Sequence, residues 1–450
     1  MNNLNNQDSI NYGIIYTPNN LVNIMLDLIP ENYFKDPNLK WLDIGAGNGA
    51  FSLNIFNRLN NNLSNKEHII ENMLYMVEIY PDHIKELKNL FTENANIIDQ
   101  DFLALDTIKE NNYSKFDFIV GNPPYNINGK LKTPTNSNIK KTDDGKQVYV
   151  DFIKKSLSLL KPHGFLCCII PSLWLKPDKA GLYDILTNKK IIKLVCLSTS
   201  QTQKAFNYKA QTPTCYFLIQ NTDSKEKNKI INIYDDLNEK FLNYNLNPNF
   251  PIPINGINII NKLLEFTNFY GSLRVYKSST SSKNSIFNNN LGEKSIYSNI
   301  KTTILSNNNP KLIINYSNNA QQYNNVPKLI MAHKMYGFPY YDVSGLYGIS
   351  ARDNYIILEK DYNKNELLQI QAFLSTKTAL FLFSTTNYRM RYLERYAFQF
   401  IPNITKIENF PYLLNISREK RDHLIYYFFS FSQNEKIKIE NFHKNYNFFI

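Results

Sequence analysis

Cysteine, glycine and long apolar runs are all scarce in this chain of 450 residues. The four cysteines, Cys167, Cys168, Cys196 and Cys215, stand in apolar runs with neither paired metal spacing nor a disulfide pattern. They read as small core residues in a reducing compartment, and no metal site is expected. No run approaches the roughly 18 apolar residues of a membrane span, and Met1 to Ser9 is polar rather than a basic stretch leading into an apolar one. A soluble intracellular protein that does not engage a membrane is therefore expected. No fixed-period repeat is present, which excludes solenoids and propellers. Only 15 Gly and 19 Pro stand against 66 Asn. Asn, Lys, Ile, Tyr and Phe share A/T-rich codons, so this excess reads as a genome's base composition.

With 43% hydrophobic and 14% aromatic residues against 20% charged, the chain can bury two or three packed units. Its net charge of +11 is unevenly placed. Residues 1–220 carry 23 basic and 21 acidic side chains, whereas residues 221–450 carry 27 and 18. A basic second half favours a polyanionic partner, through release of that partner's counterions.

The first 220 residues alternate short apolar runs with amphipathic stretches, the pattern of an α/β fold with a doubly wound, mostly parallel sheet. A helix is predicted over Leu21 to Ile29 and strands at Trp41 to Ile44, Met73 to Ile79 and Ile97-Ile98. Phe116 to Val120 reads as a further strand, stopped by Asn122-Pro123-Pro124-Tyr125, because two prolines can neither join a ladder nor continue a helix. A helix from Val150 to Leu160 and strands at Phe165 to Ile170 and Thr214 to Ile219 complete this half. A polar loop from Asn126 to Gln147 carries five lysines. Beyond about residue 221 the texture loosens into Asn/Ser-rich pieces.

Two motifs carry the chemistry. Asp43-Ile44-Gly45-Ala46-Gly47-Asn48-Gly49 joins a strand to a helix through alternate glycines, where the backbone can approach a ligand closely. Asp43 can meet a cationic amino group there, whereas a pyrophosphate would be repelled. The acid ending the next strand, Glu78, lies 33 residues after Gly45, further than the roughly 20 of a nicotinamide site. A carboxylate at that place can accept both hydroxyls of a ribose. In Asn122-Pro123-Pro124-Tyr125, the amide oxygen and the Pro123 carbonyl are two rigid acceptors beside a flat ring. That set suits a planar amine or amide, whose two N–H bonds are received while its ring is stacked. Accepting both hydrogens favours a pyramidal nitrogen with a lone pair free to attack a methyl group.

The order Tyr16-Thr17-Pro18, the glycine cradle, Glu78, Asp101-Phe102, Asn122-Pro123-Pro124-Tyr125 and a basic tail resembles the gamma-class N6-adenine DNA methyltransferases of type II restriction-modification systems. The resemblance covers about residues 12–220. It implies that S-adenosyl-L-methionine is the cofactor and that duplex DNA is the partner, with the target adenine flipped out. It further implies that Thr17 and Pro18 lie over the methionine end, that Asp43, Gly45 and Gly47 line it, that Glu78 binds the ribose and that Asp101 with Phe102 holds the cofactor's adenine. Asn122 and Pro123 then accept the target amine, with Pro124 stiffening the turn and Tyr125 stacked on the base. Phe206 is the candidate for a second ring on the base's other face. On this reading residues 1–225 form the catalytic domain and residues 226–450 a mixed α+β target-recognition domain. A monomer and a separately encoded restriction endonuclease are expected, in a bacterial cytoplasm or, for a virus, the host cytoplasm or viral factory.

Contacts to DNA are expected from Lys130 and Lys132 in the polar loop and from Arg352, Arg389 and Arg391, which stand beside aromatic and amide groups. Three alternatives stay open at this level. The acceptor could be an adenine in RNA or a glutamine amide in a protein, since both are planar with two N–H bonds, or the chain could be a catalytically silent nucleic-acid-binding module.

Overall fold

The computed structural model describes residues 15–105, 115–126, 147–210, 212–223, 229–306, 309–332, 338–389 and 393–446. They form two compact units. One runs up to Tyr234 and takes in Lys240–Pro248; the other comprises Asp235–Glu239 and the chain from Asn249 onward.

The first unit is an α/β layer built on nine strands: β1 (Trp41–Ile44), β2 (Leu74–Glu78), β3 (Asn96–Asp99), β4 (Phe116–Gly121), β5 (Leu160–Pro171), β6 (Lys189–Leu197), β7 (Thr214–Asp223), β8 (Lys229–Asp235) and β9 (Lys240–Leu246). Their order across the sheet is β3-β2-β1-β4-β5-β7-β6-β8-β9. Strands β1 to β5 pair in parallel, and β7 runs antiparallel between β5 and β6. This is the doubly wound, mostly parallel sheet that the sequence pattern predicts. It runs beyond residue 225, because β8 and β9 extend the same sheet.

The sheet interior explains its stiffness. Trp41 on β1 stacks on Phe34 at 4.9 Å and on Phe118 of β4 at 4.1 Å, and Phe118 stacks on Phe165 of β5 at 5.2 Å. Aromatic pairs of this kind add about 0.5–1.5 kcal/mol each beyond the area they bury. They tie together the two strands whose ends carry both sequence motifs. Helices α1 (Asn19–Leu26), α2 (Ala50–Leu63), α3 (Pro81–Phe91) and α4 (Tyr149–Leu159) connect or cover the strands. In α1 the buried residues Leu21, Val22, Met25 and Leu26 share one face, as helical spacing requires. Cys167, Cys168, Cys196 and Cys215 are all buried free thiols, and burial pushes the Cys167 thiol up to about 12.

The second unit combines two four-stranded sheets with a helical layer. β10 (Tyr276–Lys277), β14 (Lys328–Met331), β15 (Tyr340–Asp342) and β17 (Tyr355–Leu358) form one sheet, and β11 (Phe287–Asn288), β12 (Tyr297–Ser306), β13 (Asn309–Ser317) and β16 (Gly348–Ile349) the other. A phenylalanine-rich core, including Phe373, Phe383, Phe398 and Phe429, holds its helical part. Among the described residues no single helix is long and apolar enough to cross a membrane.

Candidate active site

Strand order reverses at β1 and β4, which are neighbours in the sheet although two strands separate them in sequence. Such a switch point leaves a crevice beyond the carboxyl ends of the strands. Both motifs end there: β1 runs into Gly45 and β4 into Asn122.

The turn after β1 depends on its glycines for two separate reasons. Gly45 and Gly47 have φ of 76° and 54°, and a Cβ on Gly45 would face open space. Their constraint is thus backbone conformation, which costs other residues roughly 1–2 kcal/mol. Gly49, also left-handed at a φ of 84°, in addition allows close packing, since a Cβ there would lie 3.0 Å from Leu87 of α3. Across the crevice, a Cβ on Gly121 would stand 2.7 Å from the Ile44 side chain. A glycine before Asn122 therefore lets the two motif-bearing strands lie close together.

An open cavity of about 150 Å³ occupies the crevice. Thr17, Gly45, Gly47, Glu78, Asp101, Phe102, Asn122, Pro123, Pro124 and Tyr125 all line it. Residues that sequence reasoning gave no site role are also present, namely Tyr80, His83, Gln100 and Phe152, together with Tyr16, which had entered only as part of a motif. No Lys or Arg stands among the described lining residues. The acidic groups among those lining residues, Glu78 and Asp101, suit a cationic ligand.

Glu78, one of the lining residues, is held by the backbone around it. Its Oε2 accepts from the Gly47 amide at 2.6 Å, and its Oε1 accepts from the Ile79 and Tyr80 amides, each at 2.9 Å. Burial raises its carboxyl, but His83 and the backbone N–H groups of Tyr80 and Gly47 outweigh that and hold it below the usual range. The His83 Nδ1 lies 3.7 Å from Glu78 Oε2, and His83 Nε2 meets the Tyr16 hydroxyl at 2.8 Å. Asp101 caps the short turn that follows it, accepting from Leu103 N at 2.9 Å, and Phe102 stacks on Phe152 at 5.0 Å. The pair gives the cavity a flat apolar wall beside an exposed carboxylate.

Asn122 is the most informative side chain. Its Nδ2 donates to Thr17 Oγ1 at 3.1 Å and approaches the Ile15 carbonyl at 3.5 Å. Its Oδ1 is buried without a hydrogen-bond partner, and so is the Tyr125 hydroxyl. A buried acceptor left unmade costs about 1–3 kcal/mol. The turn that lines the cavity thus holds an acceptor without a partner.

Residues 31–203 match the family model of the Eco57I restriction-modification methylase. The resemblance read from the motifs is thereby borne out. The type II restriction enzyme and methyltransferase RM.BcgI of Heyndrickxia coagulans is 29% identical over 201 residues, covering 41% of this chain and 28% of that one. An uncharacterized adenine-specific methylase of Mycoplasma pneumoniae is 23% identical, over 48% of this chain and 68% of that one. This chain therefore spans well under two thirds of the length of RM.BcgI. Among solved structures, a type I restriction-modification methyltransferase subunit from Streptococcus thermophilus shares 16% identity with a TM-score of 0.37, over 49% of this chain and 47% of that one.

Three expected site residues stand elsewhere. Asp43 is fully buried beneath the glycine turn, where its Oδ2 accepts from Ser52 N at 3.1 Å and Ser52 Oγ at 2.6 Å at the start of α2. It braces the cradle from below instead of lining it. Phe206 is 1% exposed and packs in the core with Met25 and Cys167, so it is no wall of the cavity. Pro18 precedes α1 and lies outside the lining. Of the DNA candidates, Arg352 and Arg389 are exposed, whereas Lys130, Lys132 and Arg391 lie outside the described residues. Among the described residues no group of three His, Cys, Asp or Glu side chains could hold a metal ion.

Proposed function

We propose that the chain transfers a methyl group from S-adenosyl-L-methionine to the N6 amine of an adenine flipped out of duplex DNA, as the modification activity of a restriction-modification system. The observation that carries this reading is the Asn122 Oδ1 left without a partner on a residue that lines the cavity, while its own amide nitrogen is anchored on Thr17. An acceptor so prepared suits a hydrogen-bond donor such as an amine N–H, and a carbonyl target would leave it without benefit.

The cavity fits the cofactor on three counts. Gly45 leaves open space where a Cβ would stand, the lining carboxylates match a cationic ligand, and the Phe102–Phe152 stack offers a flat wall. Glu78 would hold the ribose, Asp101 and Phe102 the cofactor's adenine, and Gly45 and Gly47 the methionine end. When bound, S-adenosyl-L-methionine supplies an electrophilic methyl on a cationic sulfur. The protein's part is to orient and to accept. Asn122 Oδ1 and the Pro123 carbonyl receive the two amine hydrogens, which pyramidalises the nitrogen and aims its lone pair at the methyl group. Tyr125 supplies the stacking ring, and removal of bulk water strengthens each of these contacts.

DNA is favoured over a protein amide by the second unit. Seven of the chain's eight arginines lie between Arg274 and Arg421, and arginine is the side chain that most often reads guanine and grips phosphate. The test is direct. Purified protein is mixed with methyl-labelled S-adenosyl-L-methionine and, in parallel, duplex DNA, RNA or a Gly-Gly-Gln protein, and the labelled nucleoside is identified after digestion. N6-methyladenine from DNA is the expected product. Label that ignores DNA, or that appears as N4-methylcytosine, would overturn this reading.

A further inference from the structure

Resting on that reading, we infer that Thr17 is a positioning residue of the acceptor amide: its hydroxyl anchors the nitrogen end of the Asn122 side chain, whose polarity the Ile15 carbonyl dictates, so that the oxygen end is left for the target. The amide of an asparagine presents an acceptor at one end and donors at the other, and the two ends have nearly the same shape. Only the acceptor end can receive an amine. The protein must therefore stop the group from turning over, and nothing in the tetrapeptide itself does so.

Segment 15–17 supplies what the tetrapeptide lacks. The Ile15 carbonyl can only accept, so its side of Asn122 has to be the NH₂ end; at 3.5 Å it sets the polarity but holds weakly. Thr17 Oγ1, at 3.1 Å and buried, supplies the firmer contact with that same nitrogen. The segment is itself pinned on the other side, because Tyr16 reaches His83 Nε2 at 2.8 Å, and His83 stands in the first turn of α3 just beyond Glu78. Pro18 then starts α1, with Val22 N donating to the Pro18 carbonyl at 3.1 Å. A hydroxyl 105 residues from the motif in sequence thus lies between a pinned strand of backbone and the amide it orients.

The test reads orientation through base preference, which needs no cofactor. Two duplexes are compared, carrying the methylated site with adenine or with hypoxanthine at the target position. Adenine offers N–H donors at C6 and hypoxanthine a carbonyl oxygen, so an outward Oδ1 favours the first and an outward Nδ2 the second. The ratio of the two dissociation constants is measured for wild type, Thr17→Val and Thr17→Ser. Comparing ratios between proteins cancels the different ease of extruding each base. Thr17→Val should lower the preference for adenine about tenfold, one hydrogen bond's worth of discrimination, and slow single-turnover methylation by a similar factor. Thr17→Ser, which keeps the hydroxyl, should restore both. An unchanged preference in a folded Thr17→Val protein overturns the inference, while wild-type methylation of DNA shows that the reading beneath it stands. Failure of wild type to methylate DNA overturns the underlying reading and the inference with it.

Discussion

The two units hold their charged groups in contrasting ways. In the first, Asp43 and Glu78 are withdrawn from water at strand ends, and each carboxylate has backbone N–H donors dictated by the turn it serves. In the second, Arg352 and Arg389 stand in solvent, and the fully buried Lys328 is matched to Asp342 at 2.7 Å. Asp342 also accepts from the Leu346 and Tyr347 amides, each at 3.1 Å. That pair fixes a turn, and truncating either partner would leave a buried charge uncompensated. Chemistry at one atom needs preorganised groups whose geometry the fold enforces, whereas reading a polyanion tolerates mobile cations on a surface. The contrast says which substitutions should be severe.

The largest effect belongs to Asn122. Asn122→Ala should lower the single-turnover methylation rate about 10²–10³-fold, the usual cost of removing one preorganised transition-state contact. Cofactor affinity measured by calorimetry should stay within about twofold, since Glu78 and the glycine turn are untouched. Comparable loss of both would place Asn122 in the cofactor site and blur the distinction drawn between acceptor and cradle.

Next comes Glu78. Glu78→Ala should weaken cofactor binding about 10–100-fold, in keeping with loss of charge-assisted hydrogen bonds. Binding of duplex DNA in a gel-shift assay should change little. A parallel loss of DNA binding would argue that the first unit's carboxylates act through the fold as a whole and not at a ligand.

These two residues were legible in the sequence because their surroundings leave local marks. A strand-end acid spaced from a glycine turn, and an asparagine before two prolines, can be found without knowing what lies across the sheet. The misses have the opposite character. Phe206 offers only an aromatic ring near the last strands, and such a ring serves a core as well as a ligand. Tyr16 and His83 meet across 67 residues, and the only available sign was that His83 falls in the first turn of the helix following Glu78. The polarity of the Asn122 amide depends on Thr17 and Ile15, so no pattern within the tetrapeptide could reveal it. Strands with apolar runs were placed within a residue or two at Trp41–Ile44 and Phe116–Gly121, whereas β8 and β9 alternate polar residues and escaped notice.

Asp43 supplies the test of a buried carboxylate with no ligand. Burial pushes its pKa from 3.8 up to about 7, against the opposing hydrogen bonds from Ser52. The folded state then holds a proton that the unfolded chain has released, so stability should fall as pH rises from about 4 to about 7, with a slope of up to about 1.4 kcal/mol per pH unit. Asp43→Asn should flatten that slope in urea unfolding curves and leave cofactor affinity at saturating pH nearly unchanged. If the substitution instead weakened the cofactor and kept the slope, Asp43 would belong in the binding wall after all.

The smallest effects separate two exposed arginines of the second unit, Arg352 and Arg389. Arg352 lies 3.3 Å from Asp353, a carboxylate that Lys277 also approaches at 2.7 Å, whereas no ion pair is recorded for Arg389 among the described residues. An exposed ion pair stabilises little, but its carboxylate still offsets the local charge that a phosphate would feel. Each phosphate contact contributes about 0.9 to the slope of log K against log salt. Arg389→Ala should therefore reduce that slope by about one, so that the variant loses about threefold less affinity than wild type between 50 and 200 mM salt. Arg352→Ala should change the slope by less, because its neighbour already balances it. Equal changes would show that Asp353 turns away on binding, and no change from Arg389 would count against the proposed contact of this residue with DNA.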